Sequence, residues 1–282
     1  MQPPPLRRAA ATTVLRMKAV VADGVVVRYG DVEAVRGASF AVEMGQVFGL
    51  LGPNGAGKTS VLRVLTTLVR ARSGHAWVLG HEVGSEPAVV RRLIGYVPQA
   101  VSADGSLTGR ENALLFARLH NLPRAERRSR VDGVLEQMGL AEAADRLART
   151  YSGGMLRRLE IACGLLHRPP VLLLDEPTVG LDPAARQGVW EHLHGLRKEA
   201  GTTLVVTTHA MQEAEEHCAR VAVMGRGRVL AEGTLPELRA AGGRPGGSLE
   251  ALFLDLVAGG TEDPIGGIRE ITRRRRTARR LG

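Results

Sequence analysis

The stretch GPNGAGKTS at residues 52–60 decides the fold of this 282-residue chain. It matches the phosphate-binding loop pattern GxxxxGK[ST], and apolar segments typical of a strand and a helix stand before and after it, as such a loop requires. The glycines let successive backbone N–H groups converge on an anion at the start of the helix. A glycine-rich turn without a ligand is the alternative, and the complete pattern favours a nucleotide site. Its candidate binding residues are Gly52, Pro53, Asn54, Gly55, Ala56, Gly57, Lys58, Thr59 and Ser60.

Chemistry within the loop is assigned by residue type. Lys58 is predicted to reach the β- and γ-phosphates of ATP, and the Thr59 hydroxyl to bind Mg²⁺.

A second acidic site follows the apolar run VLLLDE at residues 171–176. This run is typical of a buried strand, and a carboxylate pair at its end needs a cation or a polar ligand to offset its desolvation. We therefore expect Asp175 to hold Mg²⁺ and Glu176 to polarise the attacking water. A strand followed by a solvated acidic turn is the alternative.

A third motif, YSGGM, occupies residues 151–155. Ser152, Gly153 and Gly154 would offer a hydroxyl and unobstructed N–H groups to an anion at the start of a helix. Serine is also an ordinary helix N-cap, so the tripeptide alone is weak evidence for an anion site. Its position about twenty residues before the Asp-Glu pair is what makes it informative.

The order of these motifs resembles the ABC ATPase family over residues 18–242. The resemblance rests on the phosphate loop, Gln99, Ser-Gly-Gly, Asp-Glu, Leu181-Asp182 and His209, in that order. It implies an α/β P-loop NTPase fold, with a parallel RecA-like core, an antiparallel β flank and an inserted α-helical subdomain at about residues 100–167. It also implies a homodimer in which each ATP lies between the phosphate loop of one copy and the Ser-Gly-Gly of the other.

The same resemblance implies roles for four further residues. Tyr29 would stack on adenine, and Gln99 would touch Mg²⁺ and the water and signal to a membrane subunit. Asp182 would lie in the loop that crosses between the two sites, and His209 would sense the γ-phosphate. The alternatives are a strand residue at a hairpin for Tyr29, an ordinary loop residue for Gln99 and a strand-end histidine for His209.

The third motif departs from the usual family pattern, and this departure indicates a subgroup of the family. Typical family members have Leu-Ser-Gly-Gly-Gln, whereas Tyr151 and Met155 occupy the outer positions here. This variant resembles drug and antibiotic exporters typified by daunorubicin-resistance ATPases, and LEALFLDL at residues 249–256 resembles the helix that ends their cassettes. The resemblance implies export through a separate integral-membrane permease, with this chain peripheral at the cytoplasmic face of the membrane.

Apolar patterns outline the elements of the chain. Residues 18–51 predict strands, with hairpins suggested at Gly24, Gly30, Gly37 and Gly45. Residues about 108–167 predict helices. Further buried strands are expected at 171–175, 203–209 and 220–225, with helices at 184–199 and 210–218, which is a parallel βαβ arrangement.

The predicted domain organisation has four parts. Residues 1–17 form a flexible N-terminal extension and 18–242 the ABC ATPase domain. Residues 243–258 form a linker and a short C-terminal helix, and 259–282 a disordered arginine-rich tail.

Charge and composition restrict the partners. Residues 1–17 carry +3 and residues 268–282 carry +6, which accounts for the net charge of +9 and leaves 18–267 neutral. With 3% aromatic residues there is little for base stacking, so no nucleic acid partner is expected. The run Arg273 to Arg276 is either a tether to anionic lipid or a solvated tail.

Other function classes remain as alternatives. A nucleic-acid- or ribosome-associated ABC ATPase is favoured by the arginine-rich tail and disfavoured by the neutral core. A P-loop kinase or GTPase would not need Ser-Gly-Gly, and the chain lacks the Asn-Lys-x-Asp motif that reads guanine. No stretch is long and apolar enough for a membrane span, the N-terminus lacks the apolar region of a secretory signal, and two isolated cysteines do not suggest a zinc site or a disulfide framework.

Overall fold

The computed structural model describes residues 18–241 together with Leu249 and Phe253. The predictions for residues 1–17 and 259–282 lie outside the described residues, as does the linker and helix prediction for 243–258 apart from these two positions.

A six-stranded sheet forms the centre of the molecule, in the order β10-β9-β3-β8-β7-β6. Neighbouring strands from β9 to β6 run parallel, and β10 is antiparallel to β9. The strands VFGLL, VLLLD and TLVVTT are buried along their whole length, as expected for a parallel sheet covered on both faces. Their bounds are β3 (Val47–Leu51), β6 (Ile94–Val97), β7 (Val171–Asp175), β8 (Thr203–Thr208), β9 (Arg220–Gly225) and β10 (Arg228–Gly233).

A four-stranded antiparallel sheet lies beside it, in the order β2-β1-β4-β5. It contains β1 (Lys18–Tyr29), β2 (Val32–Glu43), β4 (Ser73–Val78) and β5 (His81–Glu82). The suggestion of hairpins at Gly24 and Gly37 is wrong. Both glycines lie inside long strands where the β1–β2 register shifts, so their positive φ angles of 61° and 83° belong to bulges rather than turns. Gly30 and Gly45 are at the ends of strands, in turns.

Eight α-helices lie among residues 18–241, seven of them between strands. They are α1 (Lys58–Leu65), α2 (Pro87–Leu93), α3 (Gly109–Leu119), α4 (Arg124–Gln137), α5 (Gly153–Leu165), α6 (Pro183–Ala200), α7 (Met211–His217) and α8 (Leu235–Ala241). Helices α3, α4 and α5 follow β6 and precede β7 in the chain, and they pack on one another. No helix in the described part of the chain is long and apolar enough to cross a bilayer.

Two apolar cores cover the central sheet. Because side chains alternate along a strand, Phe48 and Leu50 of β3 face the antiparallel sheet and α1, while Val47 and Leu51 face the core formed with the helices from α3 onward. Leu249 is also buried in the helical core, where its backbone N–H donates to Glu215 Oε1 at 2.7 Å.

The carboxyl ends of the parallel strands meet at one edge of the sheet. Leu51 is in register with Thr208, and Asp175 with Thr207, so the phosphate loop, the acidic pair and His209 emerge side by side. This is where α/β proteins bind ligands. The fold class predicted from the sequence is confirmed: a parallel α/β core, an antiparallel flank and an inserted helical part.

Candidate nucleotide site

The phosphate loop runs from the end of β3 to the start of α1, and two of its glycines are required by close backbone contacts. A Cβ atom at Gly52 would lie 2.4 Å from the Met224 carbonyl oxygen. At Gly57, where φ is 98°, it would lie 2.6 Å from the Ala34 carbonyl oxygen. Side chains are therefore excluded at the places where the loop approaches its neighbours.

Lys58 is buried in the concavity of this loop. Its Nζ donates to the carbonyl oxygens of Gly52 at 2.7 Å and Pro53 at 3.1 Å, and lies 3.2 Å from Glu176 Oε1. The ammonium is thus held where the loop converges and is paired with the buried carboxylate of the acidic pair.

Two hydroxyl groups bind one carboxylate oxygen of Asp175. The Thr59 hydroxyl donates to Asp175 Oδ1 at 3.1 Å, and the Thr207 hydroxyl donates to the same oxygen at 2.6 Å. Hydroxyl and carboxylate oxygens are hard ligands, and Mg²⁺ is usually held by one or two carboxylates plus substrate phosphates. The Thr59 hydroxyl and the Asp175 carboxylate fit such a shared site.

Glu176 has an unusual backbone. Its φ is 48°, in the left-handed region that non-glycine residues rarely adopt. Its N–H donates to Thr207 Oγ1 at 2.9 Å, and its Oε2 lies 2.6 Å from His209 Nδ1. The carboxylate therefore stands between Lys58 and His209, aimed by contacts at both oxygens.

A cavity of about 810 Å³ opens above these groups. Tyr29 lies at its rim with 39% of its surface exposed, and Gln99 and Glu176 reach it from β6 and β7. Its walls are Tyr29, Val32, Glu33, Ala34, Arg36, Asn54, Gly55, Ala56, Gly57, Lys58, Thr59, Ser60, Gln99, Glu176, Arg226 and Gly227.

The remaining candidate residues form a second cluster outside that lining. Ser152 caps α5 by accepting from the Met155 N–H at 3.2 Å, and Asp182 caps α6 by accepting from the Ala185 N–H at 2.9 Å. A Cβ at Gly154 would lie 2.9 Å from that of Ala185, so the two helix starts adjoin each other. One chain therefore presents a phosphate-loop cavity and a separate pair of helix N-termini.

Tyr151 accounts for the departure at the start of the third motif. It is buried, and its hydroxyl donates to the Ala143 carbonyl oxygen at 2.6 Å. A Cβ at Gly109 would lie 2.2 Å from this hydroxyl, so α3 begins against the tyrosine. The side chain anchors the helical part, and the adjoining Ser152 and Gly153 are exposed.

Sequence reasoning missed several residues of the site. Thr207 binds both acidic residues, and Arg157 binds their backbone. The turn at Arg226–Gly227 closes the cavity wall, where the Gly227 N–H donates to Ala56 O at 3.2 Å and the Arg36 N–H to Gly227 O at 2.7 Å. No local pattern marks these residues, because each acts across a tertiary contact.

Both cysteines lie away from this chemistry. Burial raises the pKa of the Cys163 and Cys218 thiols to about 12, so both stay protonated at neutral pH.

Comparison with known proteins gives a family. The family model described as ABC transporter matches residues 35–179. The daunorubicin resistance ATP-binding protein DrrA3 of Streptomyces coeruleorubidus is 46% identical over 222 residues, which is 79% of this chain and 70% of that protein. The Nod factor export ATP-binding protein I of Ralstonia nicotianae is 44% identical over 216 residues, which is 77% of this chain and 67% of that protein.

Solved structures of ABC transporter proteins have the same fold as this chain. The ATP-binding subunit of an ABC transporter superposes with a TM-score of 0.75 at 28% identity, covering 85% of this chain and 99% of that one. A dimeric ATP-binding cassette in a post-hydrolysis state, bound to ADP and Pi, superposes with a TM-score of 0.69 at 27% identity, covering 77% of this chain and 98% of that one. Neither relative's name supports the nucleic-acid- or ribosome-associated alternative.

Proposed function

Because the chain belongs to the ABC transporter family, we propose that it powers the export of a drug, an antibiotic or a lipid-like compound through a separate membrane permease. The chain is an ATP-binding, ATP-hydrolysing subunit of this family. The observation that carries the proposal is the meeting of Lys58, Thr59, Asp175 and Glu176 at one sheet edge beneath a nucleotide-sized cavity. The cargo class is inferred from relatives that are named for drug resistance and for Nod factor export.

Binding of ATP follows from the loop and the cavity. The triphosphate enters the concavity of residues 52–60, where backbone N–H groups and the start of α1 favour an anion. Lys58 then exchanges its contact with Glu176 for the β- and γ-phosphates, which frees the carboxylate. Tyr29, half-exposed at the rim, stacks on adenine.

Thr59 and Asp175 would hold Mg²⁺, with Gln99 reaching the same region from the end of β6. When bound, this ion neutralises charge on the phosphates and helps to align them. Thr207 keeps Asp175 oriented toward Thr59 by its hydrogen bond.

Hydrolysis depends on Glu176. Its carboxylate accepts a proton from a water whose oxygen forms a bond to the γ-phosphorus, while the bond from that phosphorus to the β–γ bridging oxygen breaks and leaves ADP and phosphate. His209 Nδ1 lies 2.6 Å from Glu176 Oε2 and keeps the Glu176 carboxylate directed toward the γ-phosphate position.

A complete site requires a second copy of the chain. Ser152 and Asp182 are exposed at helix starts that do not line the cavity of their own chain. In a head-to-tail homodimer, Ser152, Gly153 and Gly154 of one copy would close the phosphate-loop cavity of the other. The dimeric relative bound to ADP and Pi supports this arrangement.

Transport in membrane vesicles tests the function. Inside-out vesicles are prepared with this chain and an integral-membrane permease that co-purifies with it. We expect ATP-dependent uptake of an anthracycline, a polyene antibiotic or a lipid-like probe, and none with Glu176→Gln. Co-purification with ribosomes and no uptake of any of these compounds, despite full ATP hydrolysis, would contradict the proposal.

A further inference from the structure

Arg157 is buried on α5, one turn after the helix starts at Ser152. Its guanidinium makes five hydrogen bonds, which uses every N–H that an arginine has. Four go to backbone carbonyl oxygens: Pro98 at 2.6 Å, Pro177 at 2.8 Å, Asp175 at 2.9 Å and Glu176 at 3.1 Å. The fifth goes to Glu160 Oε2 at 3.0 Å.

Glu160 extends this contact to the loop after β6. Its Oε1 accepts from the Ser102 N–H at 2.6 Å and from the Ser102 hydroxyl at 3.1 Å. Pro98 and Ser102 flank Gln99 on either side, so the Arg157–Glu160 pair grips both ends of the segment that carries Gln99 into the cavity.

The same pair supports the strained backbone of Glu176. A residue with a left-handed φ persists only where its surroundings overdetermine it. Thr207 binds the Glu176 N–H, and Arg157 binds the carbonyl oxygens of residues 175, 176 and 177. The orientation of the carboxylate therefore depends on a side chain of the helix that begins with Ser-Gly-Gly.

Stability alone gives a weak reason for an ion pair at this place. Arg157 is 6% exposed and Glu160 is 4% exposed. Taking both charges out of water costs free energy that their attraction often fails to recover, and well-packed apolar pairs are frequently as stable. A reason connected with the reaction is therefore worth testing.

We propose that Arg157 and Glu160 are positioning residues for ATP hydrolysis, which hold Glu176 and the Gln99 loop in register with the helix that starts at Ser152. The proposal rests on the proposed roles of Glu176 and Gln99. Any displacement of Ser152 by the nucleotide or by the second copy is then passed through α5 and Arg157 to the backbone of Glu176.

A double replacement separates positioning from stability. In Arg157→Met/Glu160→Leu both charges are removed together, so no unpaired charge stays buried. Four carbonyl oxygens and Ser102 lose their partners, so thermal stability should fall, and kcat is measured at a temperature where the variant is shown to be folded. ATP binding should be unchanged, because Lys58 and the phosphate loop are untouched. We expect kcat to fall by about 10- to 100-fold at unchanged KM, as for a misplaced catalytic group.

Two further variants complete the test. Arg157→Lys keeps the charge opposite Glu160 but cannot reach five acceptors, so kcat should again fall by about tenfold or more. Arg158→Met is the matched control, since its Nη1 donates to Met138 O and Gly139 O within the helical part, and it should keep wild-type kcat.

Wild-type kcat in Arg157→Lys, or in a double variant that is folded, would overturn the proposal. Loss of ATP binding in parallel with kcat would also overturn it, because positioning predicts a change in kcat alone. Failure of the proposed function is distinguishable, since it would appear as full ATP hydrolysis without uptake of any compound. Failure of the proposed role of Glu176 would appear as wild-type turnover in Glu176→Gln.

Discussion

We propose that hydrolysis depends most directly on Glu176, and its replacement gives the simplest test. Glu176→Gln preserves size but removes the proton acceptor, so turnover should fall by about a hundredfold or more while ATP still binds. Glu191→Gln, on the exposed side of α6, is a matched control. Steady-state ATPase rates with ATP-binding titrations measure both effects. Near-normal turnover in Glu176→Gln would mean that another group activates the water.

At this scale the sequence identifies residues that belong to contiguous patterns. The phosphate loop and the Asp175–Glu176 pair are recognisable because a strand end and a helix start fix their geometry locally. Thr207 and Arg157 escape such reasoning. Thr207 lies inside an apolar strand and becomes part of the site only through pairing of β8 with β7. Arg157 is one of many arginines, and nothing in the sequence distinguishes it from Arg158, which contacts only the helical part.

Among the elements, the contact between β6 and α5 depends on a missing side chain. A Cβ atom at Gly95 would lie 2.4 Å from the Gly164 carbonyl oxygen. Gly95→Ala should therefore push the helix from the sheet and lower the free energy of unfolding by about 1–3 kcal/mol.

The control for Gly95 is another glycine in an unconstrained place. Gly133 lies in α4, and a Cβ atom added there would have no other atom within 4 Å. Gly133→Ala should therefore raise the free energy of unfolding by about 0.5–1 kcal/mol. Urea unfolding of both variants measures the difference. Equal effects of the two substitutions would show that β6 and α5 have room for a side chain between them.

A pair of stacked histidines joins the end of α3 to the segment after α5. The His120 and His167 rings lie 3.9 Å apart, and His167 Nε2 donates to the Ile94 carbonyl oxygen at 2.8 Å. His167 Nδ1 is buried and has no hydrogen-bond partner in the described residues. Burial, with the neighbouring His120, lowers the pKa of His167 to about 4. Arg91 and Glu160 are the charged side chains that line the same groove.

This shifted pKa predicts a pH dependence of stability. An unfolded histidine has a pKa near 6.5, so between about pH 6.5 and 4 the unfolded chain binds a proton that folded His167 does not. The free energy of unfolding should therefore fall as the pH is lowered through this window. His167→Gln, which can still donate to Ile94, should flatten that part of the profile and match the wild-type slope at pH 7 to 8. If the free energy of unfolding of the variant falls as steeply with decreasing pH as that of the wild type, His167 is not the source of the pH dependence.

Gly24 and Gly37 were predicted to form hairpins but form bulges. Glycine favours hairpin turns and bulges alike, because both need a positive φ. Which of the two forms depends on whether the partner strand continues past the glycine, and here β1 and β2 pair on both sides of it. The buried parallel strands were predictable because continuous apolar runs leave few alternatives.

At the scale of the whole molecule, nucleotide-driven pairing of two chains is expected. Glu176→Gln with ATP should sediment as a dimer, because in the proposed arrangement ATP would join the cavity of one copy to Ser152 of the other and would not be hydrolysed. Adding Ser152→Arg should leave that protein monomeric, since a bulky cation replaces the exposed cap. A Glu176→Gln protein that stays monomeric at saturating ATP would contradict the head-to-tail arrangement.

The central claim is that each ATP is hydrolysed in a site built from two copies of this chain, and mixing two defective variants tests it most directly. Lys58→Ala damages the phosphate loop and Ser152→Arg damages the opposing helix start, so every site in either homodimer carries one defect. In a mixed dimer both defects fall in one site, and the other site is intact. The account predicts that an equal mixture regains ATP turnover that neither variant has alone. The gain is about a quarter of wild-type turnover if the chains pair at random, since half of the dimers are then mixed and each has one of two sites intact. Turnover of the mixture equal to the mean of the separate variants would contradict it.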